Sequence, residues 1–302
     1  MSPIAVTGGP IAVTGARGRL GSALVARLAR ENRPFRAWTR PEYDLDRPRT
    51  VERLLRHHRP AVVIHTAAWT DVDGCARDPD LARQRNGVAV GALARACRRA
   101  GAALVLLSTN EVFDGIRGDG LGYSETDAPN PANAYGASKL EGERLASAAF
   151  GQGDPRSPAS GLWIVRTAWL FGPGGADFPH KILAAADRLE PSAVLRVVDD
   201  EVGSPTFAAD LAEAILKLFS MAPAGLYHLV NRGAVSRFGW AARILARCER
   251  SVGVLPVGRT EFVRASSPPP WAVLDPGSAE RLGIALRGWE DAFEAYVPEL
   301  CG

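Results

Sequence analysis

Val62-Val63-Ile64 and Leu104-Val105-Leu106-Leu107 are unbroken apolar runs, without the alternation that a strand wet on one face would show. Strands of this kind are buried on both faces, and a chain covers both faces by running helices between consecutive parallel strands. The neighbouring stretches supply those helices. From Ile11 the order is a β-branched run, a glycine-rich turn, and then Leu20, Ala23, Leu24 and Leu28 at helical spacing. The same alternation predicts strands over 35–39, 61–65, 103–107 and 162–166, and helices over 50–57, 81–99 and 133–149. The expected fold is α/β, with a doubly wound parallel sheet.

Beyond Gly172 the alternation loosens. Helices are expected over 178–189, 207–219, 238–249 and 289–296, with short strands over 195–198 and 225–229, the pattern of a smaller mixed α/β lobe. The division expected is a first domain over 1–172 and a lobe over 173–302, some of whose segments return to the first domain. Residues 151–161, rich in Gly, Pro and Ser, read as an exposed loop, and Ser266–Pro270, with three consecutive prolines, as a stiff one. Pro3-Ile4-Ala5-Val6-Thr7-Gly8 recurs as Pro10-Ile11-Ala12-Val13-Thr14-Gly15. Only the second copy leads into further glycines, so the first strand is expected at Ile11–Thr14, with Met1–Gly9 an extension outside the sheet.

At 302 residues, 46% hydrophobic and 23% charged, the chain is long enough for such a core and ordinary in make-up. Lys and Arg number 36 against 33 Asp and Glu, and a net +3 over this length is no field for nucleic acid. No apolar run approaches the ~18 residues of a membrane span, and no basic, apolar leader opens the chain. Cys75, Cys97, Cys248 and Cys301 lie far apart without a CxxC or Cys/His cluster, so neither a metal site nor a disulfide framework is expected. A reducing, cytoplasmic setting and a small-molecule substrate fit these features. His57-His58 ends a helix where a cation suits the dipole, and Trp163, Trp240 and Trp289 fall at apolar spacing, as core residues do.

Gly15-Ala16-Arg17-Gly18-Arg19-Leu20-Gly21 stands between the first strand and the first helix. Glycines there permit a tight turn and the close approach of backbone to a pyrophosphate, while the helix N-terminus supplies N–H donors. This placement makes the sheet Rossmann-type and the ligand a dinucleotide. The second strand ends Trp38-Thr39-Arg40, without the acid that would accept from an NAD ribose. Arg17 and Arg40 can grip a 2′-phosphate instead, which favours NADP(H) over NAD(H).

Tyr135-Gly136-Ala137-Ser138-Lys139 is the most specific signal. With five tyrosines and three lysines in the chain, about 0.05 such Tyr-x-x-x-Lys pairs arise by chance. The i, i+4 spacing puts both side chains on one helix face. A lysine ammonium beside a phenol lowers its pKa toward working pH, which suits a proton donor to a carbonyl. Ser108-Thr109 follows an apolar strand at the carboxyl edge, where open α/β sheets bind ligands, and a hydroxyl there can polarise the same carbonyl.

These segments together resemble the extended short-chain dehydrogenase/reductases, and among them the dTDP-4-dehydrorhamnose reductase branch. The resemblance runs nearly end to end. It rests on the glycine turn, Ala67-Ala68-Trp69-Thr70-Asp71-Val72-Asp73, Asn86, Ser108 to Gly115, Tyr135-x-x-x-Lys139, Arg166 to Trp169, Asp199 to Thr206, and Gly225 to Leu229. It implies Thr109, Tyr135 and Lys139 as the catalytic set, with Lys139 also holding the nicotinamide ribose. Gly15, Arg17, Gly18, Arg19, Leu20, Gly21 and Arg40 would hold the phosphates, Asp44 and Leu45 border the adenine, and Ala67, Ala68, Asn86 and Ser108 the ribose side. Asn110, Glu111, Trp169 and Glu201 would face the sugar. A homodimer is the assembly the resemblance implies.

The pattern departs from that branch in three places. Asn110 and Glu111 replace Asp-Tyr, Glu201 replaces Gln, and Pro268 to Leu274 replaces Arg-Pro-x-x-Ser-x-Leu, losing an arginine and a serine. Fewer cations are therefore expected where a diphosphate would lie. The activity expected is NADPH-dependent reduction of a keto-sugar, nucleotide-linked or a related polyhydroxylated ketone. An epimerase or dehydratase of the same fold, and a regulatory subunit that binds NADP without turnover, remain alternatives.

Overall fold

The computed structural model describes residues 9–151, 161–190 and 193–302. In the first half the order is β1 (Ile11–Thr14), α1 (Arg19–Arg30), β2 (Phe35–Trp38), α2 (Thr50–His58), β3 (Val62–His65), α3 (Val72–Arg77), α4 (Pro79–Ala82), α5 (Ala89–Ala100), β4 (Ala103–Thr109) and α6 (Ala134–Ala149). There follow β5 (Leu162–Thr167), β6 (Leu170–Phe171), α7 (Phe178–Ala186), β7 (Val194–Val198), β8 (Val202–Gly203), β9 (Thr206–Phe207), α8 (Ala208–Met221) and β10 (Gly225–His228). The chain ends with β11 (Val235–Ser236), α9 (Arg237–Arg247), β12 (Gly253–Val257), α10 (Gly277–Glu280), α11 (Trp289–Glu294) and α12 (Val297–Cys301).

Six strands form one parallel sheet in the order β10-β5-β4-β3-β1-β2. Alternate residues of the central strands enter separate cores, as a doubly wound sheet requires. Val105, Leu107, Trp163 and Val165 pack toward α1 and α8, and Leu104, Leu106, Leu162 and Ile164 toward α2 and α5. A third core, built on Phe171, Trp240, Phe293 and Tyr296, holds the lobe of α7, α9 and α11 together.

The first strand is Ile11–Thr14, as expected, while residues 1–8 lie outside the described residues. Most of the loop expected over 151–161 also lies outside them. The strand at Gly225–His228 pairs with β5 and so completes the main sheet rather than the smaller lobe. The helix expected over 81–99 is broken: α4 passes into a π-helical turn over Arg83–Val88 before α5. The turn carries Asn86, whose amide reaches out to the backbone of Trp69. Ser108 and Thr109 are the last residues of β4, not residues beyond it.

Two other expectations are corrected. Cys248 and Cys301 form a disulfide that ties the end of α9 to α12, while Cys75 and Cys97 are free and buried. Sequence separation, 53 residues here, says nothing about that proximity, and the cysteines no longer argue for a reducing compartment. His58 Nδ1 accepts a 3.0 Å hydrogen bond from the Trp38 indole, and burial holds its pKa below the usual range. It is a neutral acceptor, not the helix-end cation expected. Trp163, Trp240 and Trp289 are buried core. No helix among the described residues is long and apolar enough to cross a membrane, and no three His, Cys, Asp or Glu side chains among them converge to hold a metal.

Candidate active site

Asn133 starts the helix that carries Tyr135 and Lys139. Its Oδ1 accepts from Gly136 N at 2.8 Å, the usual N-cap contact. Its Nδ2 donates to Glu111 Oε2 at 2.7 Å, tying the helix to the turn after β4. Gly136 allows α6 to lie on that turn, since a Cβ there would overlap the carbonyl oxygen of Glu111. Tyr135 and Lys139, both buried, therefore face the carboxyl end of β4.

A cavity of about 400 Å³ opens there, lined by Gly18, Leu20, Gly21, Ala68, Ser108, Thr109, Asn110, Glu111, Tyr135, Lys139 and Trp169. The N-terminus of α1 forms one wall. Gly15 takes φ +61°, and a Cβ at Gly21 would overlap the Gly15 carbonyl oxygen, so the turn closes only with glycine at both places. The Ser108 hydroxyl, from β4 in the lining of the same cavity, is buried and has no hydrogen-bond partner among the described residues. Arg19 spends its guanidinium on the carbonyls of Gly172 and Gly175, each at 2.9 Å, and so anchors the loop that follows β6.

Lys139 Nζ donates to the carbonyl oxygen of Leu107 at 2.6 Å, and burial pushes its pKa down to about 8, opposed by the carboxylate of Glu143. Glu143 is itself held by a two-point ion pair with Arg166, at 3.0 and 2.7 Å, with both side chains almost wholly buried. Tyr135 departs from the expectation that its lysine neighbour lowers its pKa. Burial raises it, as does the nearby Glu111 carboxylate, while a hydrogen bond with Thr109 opposes them. The ammonium is turned to Leu107, and desolvation of a phenolate in this cleft outweighs its charge. Burial likewise raises Glu111, against the hydrogen bond from Asn133 and the charges of Arg237 and Arg264.

Around this core the other expected residues fall into two groups. Arg17 and Arg40 are exposed near the carboxyl ends of β1 and β2, and neither makes a hydrogen bond or ion pair among the described residues. Asp44 accepts from Asp46 N at 3.1 Å, Leu45 packs on the core beneath, and Ala67 N donates to Thr14 Oγ1 at 3.3 Å. Asn86 is different. Its Oδ1 accepts from Trp69 N and its Nδ2 donates to Trp69 O, both at 2.9 Å, and to Ser138 Oγ at 3.1 Å. Its amide is therefore committed to the protein, clamping the Trp69 loop to α6. Asn110 is similarly engaged, donating from Nδ2 to Ala272 O at 3.0 Å.

A second cavity, of about 690 Å³, adjoins the first and shares Arg19, Thr70, Trp169, Leu170 and Arg237 with it. Arg19, Lys181, Arg196, Arg237, Arg259 and Arg264 bring six cations to its walls against Asp177 and Glu201. Glu201 is buried between Arg237 and Arg264, 3.8 Å from each. These cations come from several parts of the chain, none of them from the Pro268 to Leu274 segment.

Residues 9–301 match the family described as the RmlD substrate binding domain. The chain belongs to that family. It is 35% identical to the spore coat polysaccharide biosynthesis protein SpsK of Bacillus subtilis, over 96% of this chain and 97% of that one. It is 38% identical to a dTDP-4-dehydrorhamnose reductase of Mycobacterium tuberculosis, over 93% and 90% of the two chains. Among solved structures, dTDP-4-dehydrorhamnose reductase of Bacillus anthracis in complex with NADP superimposes with a TM-score of 0.88 at 32% identity, covering 97% of this chain and 100% of that one.

For an RmlD-family chain, the residues that sequence reasoning missed are the cations of the second cavity other than Arg19. Arg237 and Arg264 stand among 33 arginines, with no motif to mark either. The π-helical turn that aims Asn86 was also hidden, because its residues suit an α-helix equally well.

Proposed function

We propose that this protein is an NADPH-dependent reductase of a nucleotide-linked 4-keto-6-deoxysugar, of the dTDP-4-dehydrorhamnose type. The carrying observation is that the cavity holding Thr109, Tyr135 and Lys139 shares five lining residues with a cation-lined cavity beside it. The first is sized and equipped for a carbonyl, the second for the charge of a nucleoside diphosphate.

A nicotinamide coenzyme fits the first cavity. The glycine turn leaves backbone N–H groups of α1 facing it, where pyrophosphate is favoured, and the orphaned Ser108 hydroxyl has a donor and acceptor to offer. Gly15, Gly18, Leu20 and Gly21 would hold the pyrophosphate, Lys139 the nicotinamide ribose, and Asp44 and Leu45 the adenine. Arg17 and Arg40, without a hydrogen bond or close ion pair among the described residues although the charge of Arg40 acts on Asp46, support a preference for NADPH. When bound, the coenzyme supplies the hydride.

The chain's own residues manage the proton. Tyr135, with its pKa raised, stays a protonated phenol at neutral pH, the state a general acid needs. Thr109 lines the same cavity as Tyr135, where its hydroxyl, which donates to Asn110 Oδ1 and accepts from Glu111 N at 3.2 Å each, would hold the carbonyl oxygen. As negative charge develops on that oxygen the phenol gives its proton, and Lys139, one helical turn along α6, would stabilise the phenolate by turning its ammonium from the Leu107 carbonyl. Burial of the site keeps these charges effective by excluding water.

The relatives named dTDP-4-dehydrorhamnose reductase support this substrate class. Loss of NADPH absorbance with dTDP-4-dehydrorhamnose, compared with NADH and with unlinked keto-sugars, tests it. NADPH binding without turnover on any of them would instead support a regulatory subunit. A cytoplasmic homodimer is part of the same proposal, and sedimentation together with thiol labelling of Cys301 in intact cells tests both points.

A further inference from the structure

Trp169, expected to present its ring to the sugar, already carries other groups on it. Gly203 lies so close that a Cβ there would stand 2.5 Å from the indole Cε2. The guanidinium of Arg237 sits 3.5 Å from the ring centroid, and 4.9 Å from that of Phe178. A molecule entering from either cavity meets this guanidinium, because Arg237 lines both.

Arg237 has donors to spare. The one carboxylate within 4.0 Å of it among the described residues is Glu201, whose Oε2 is 3.8 Å from Nε, longer than a hydrogen bond. A quarter of its side-chain surface remains open. The aromatic rings hold the planar group in place without using its N–H bonds. Its position on the chain is equally fixed: it opens α9, its backbone N–H donates to Glu201 O at 3.0 Å, and Ser236 caps the helix before it.

We propose that Arg237 is a specificity-determining residue, donating to the phosphate that is attached directly to the sugar. The inference rests on the nucleotide-sugar reading above. If the keto-sugar occupies the cavity of Tyr135 and the nucleoside lies in the cation-lined cavity, the group crossing the junction is the sugar-linked phosphate. A rigid, forked cation at that junction suits a phosphate better than a sugar hydroxyl. Arg259, Arg264 and Lys181, which line the second cavity alone and are exposed, are left for the nucleoside-linked phosphate.

The test is equilibrium binding of dTDP and dTMP, followed by calorimetry without turnover. The terminal phosphate of dTDP stands in for the sugar-linked phosphate, and dTMP lacks it. The unaltered protein should prefer dTDP, and Arg237→Met should weaken dTDP by about 10- to 100-fold while leaving dTMP nearly unchanged. Arg237→Lys, which keeps the charge and loses the fork, should fall between them and serves if the Met variant does not fold. A merely structural role would weaken both nucleotides together, and that result, or an unaltered protein that binds both equally or neither, overturns the assignment. A protein that shows the expected dTDP preference yet never oxidises NADPH with dTDP-4-dehydrorhamnose would sink the reductase reading and leave Arg237 in place.

Discussion

Lys139 Nζ and the carbonyl oxygen of Leu107 are 2.6 Å apart, so the ammonium that is to serve the phenol and the ribose is anchored to the end of β4. Burial pushes its pKa down to about 8, and Glu143 opposes that shift. The lysine is therefore charged below about pH 8 and loses its charge as pH rises through that value. Affinity of the free protein for NADPH should fall over the same interval. Glu143→Gln removes a carboxylate that favours the ammonium, so the midpoint should move to lower pH. Fluorescence titration of NADPH at a series of pH values reads both, and a midpoint unmoved by the substitution would show that Glu143 does not act on Lys139.

Glu143→Gln should also cost stability. It leaves the buried Arg166 cation without its ion-pair partner, a change worth roughly 3–5 kcal/mol in comparable sites. Urea unfolding at pH 7 measures this, and a loss below about 1 kcal/mol would mean that the guanidinium finds another partner.

Tyr135→Phe removes the proton and leaves the ring in its pocket. NADPH should still bind, while turnover falls by roughly 10²–10⁴-fold, the usual contribution of a positioned acid. Comparing the NADPH dissociation constant with kcat separates the two effects. Retained turnover would transfer the acid role to another group, with Glu111 the first to examine.

Arg40→Ala should raise the Michaelis constant for NADPH and leave that for NADH little changed, and Arg17→Ala should do the same. A charge-assisted contact to a phosphate contributes about 1.5–3 kcal/mol, enough for a tenfold effect or more from each. Equal losses with both coenzymes would place these arginines away from a 2′-phosphate.

Asn86→Ala breaks the clamp between the Trp69 loop and Ser138. Backbone groups left unpaired cost about 1–3 kcal/mol each, so the urea midpoint should drop. Because Ser138 Oγ also donates to the Tyr135 carbonyl at 2.7 Å, kcat should fall more than NADPH affinity does. A variant that lost NADPH binding at unchanged stability would return Asn86 to the direct ribose contact first expected.

Much of the fold was legible because strand and helix periodicity are local. The apolar runs at Val62 and Leu104 did become central strands, and Tyr135 and Lys139 did share a helix face, since four residues make about one turn. Element ends were less legible where a side chain overrode the period. The break at Arg83–Val88 carries Asn86, which bonds to Trp69 17 positions away, and no count of apolar positions carries that information.

The sequence by itself determined the parallel sheet, the glycine turn at the head of the first helix, and the Tyr135/Lys139 pair, all set by steric and periodic rules acting over a few residues. Tertiary structure alone decided which charges meet. It brought Arg237 and Arg264 to Glu201, joined Cys248 to Cys301, and returned β10 to the central sheet. It also reversed the expected direction of the Tyr135 shift, because a phenol's pKa answers to burial and to every charge around it, and both are properties of the packed chain.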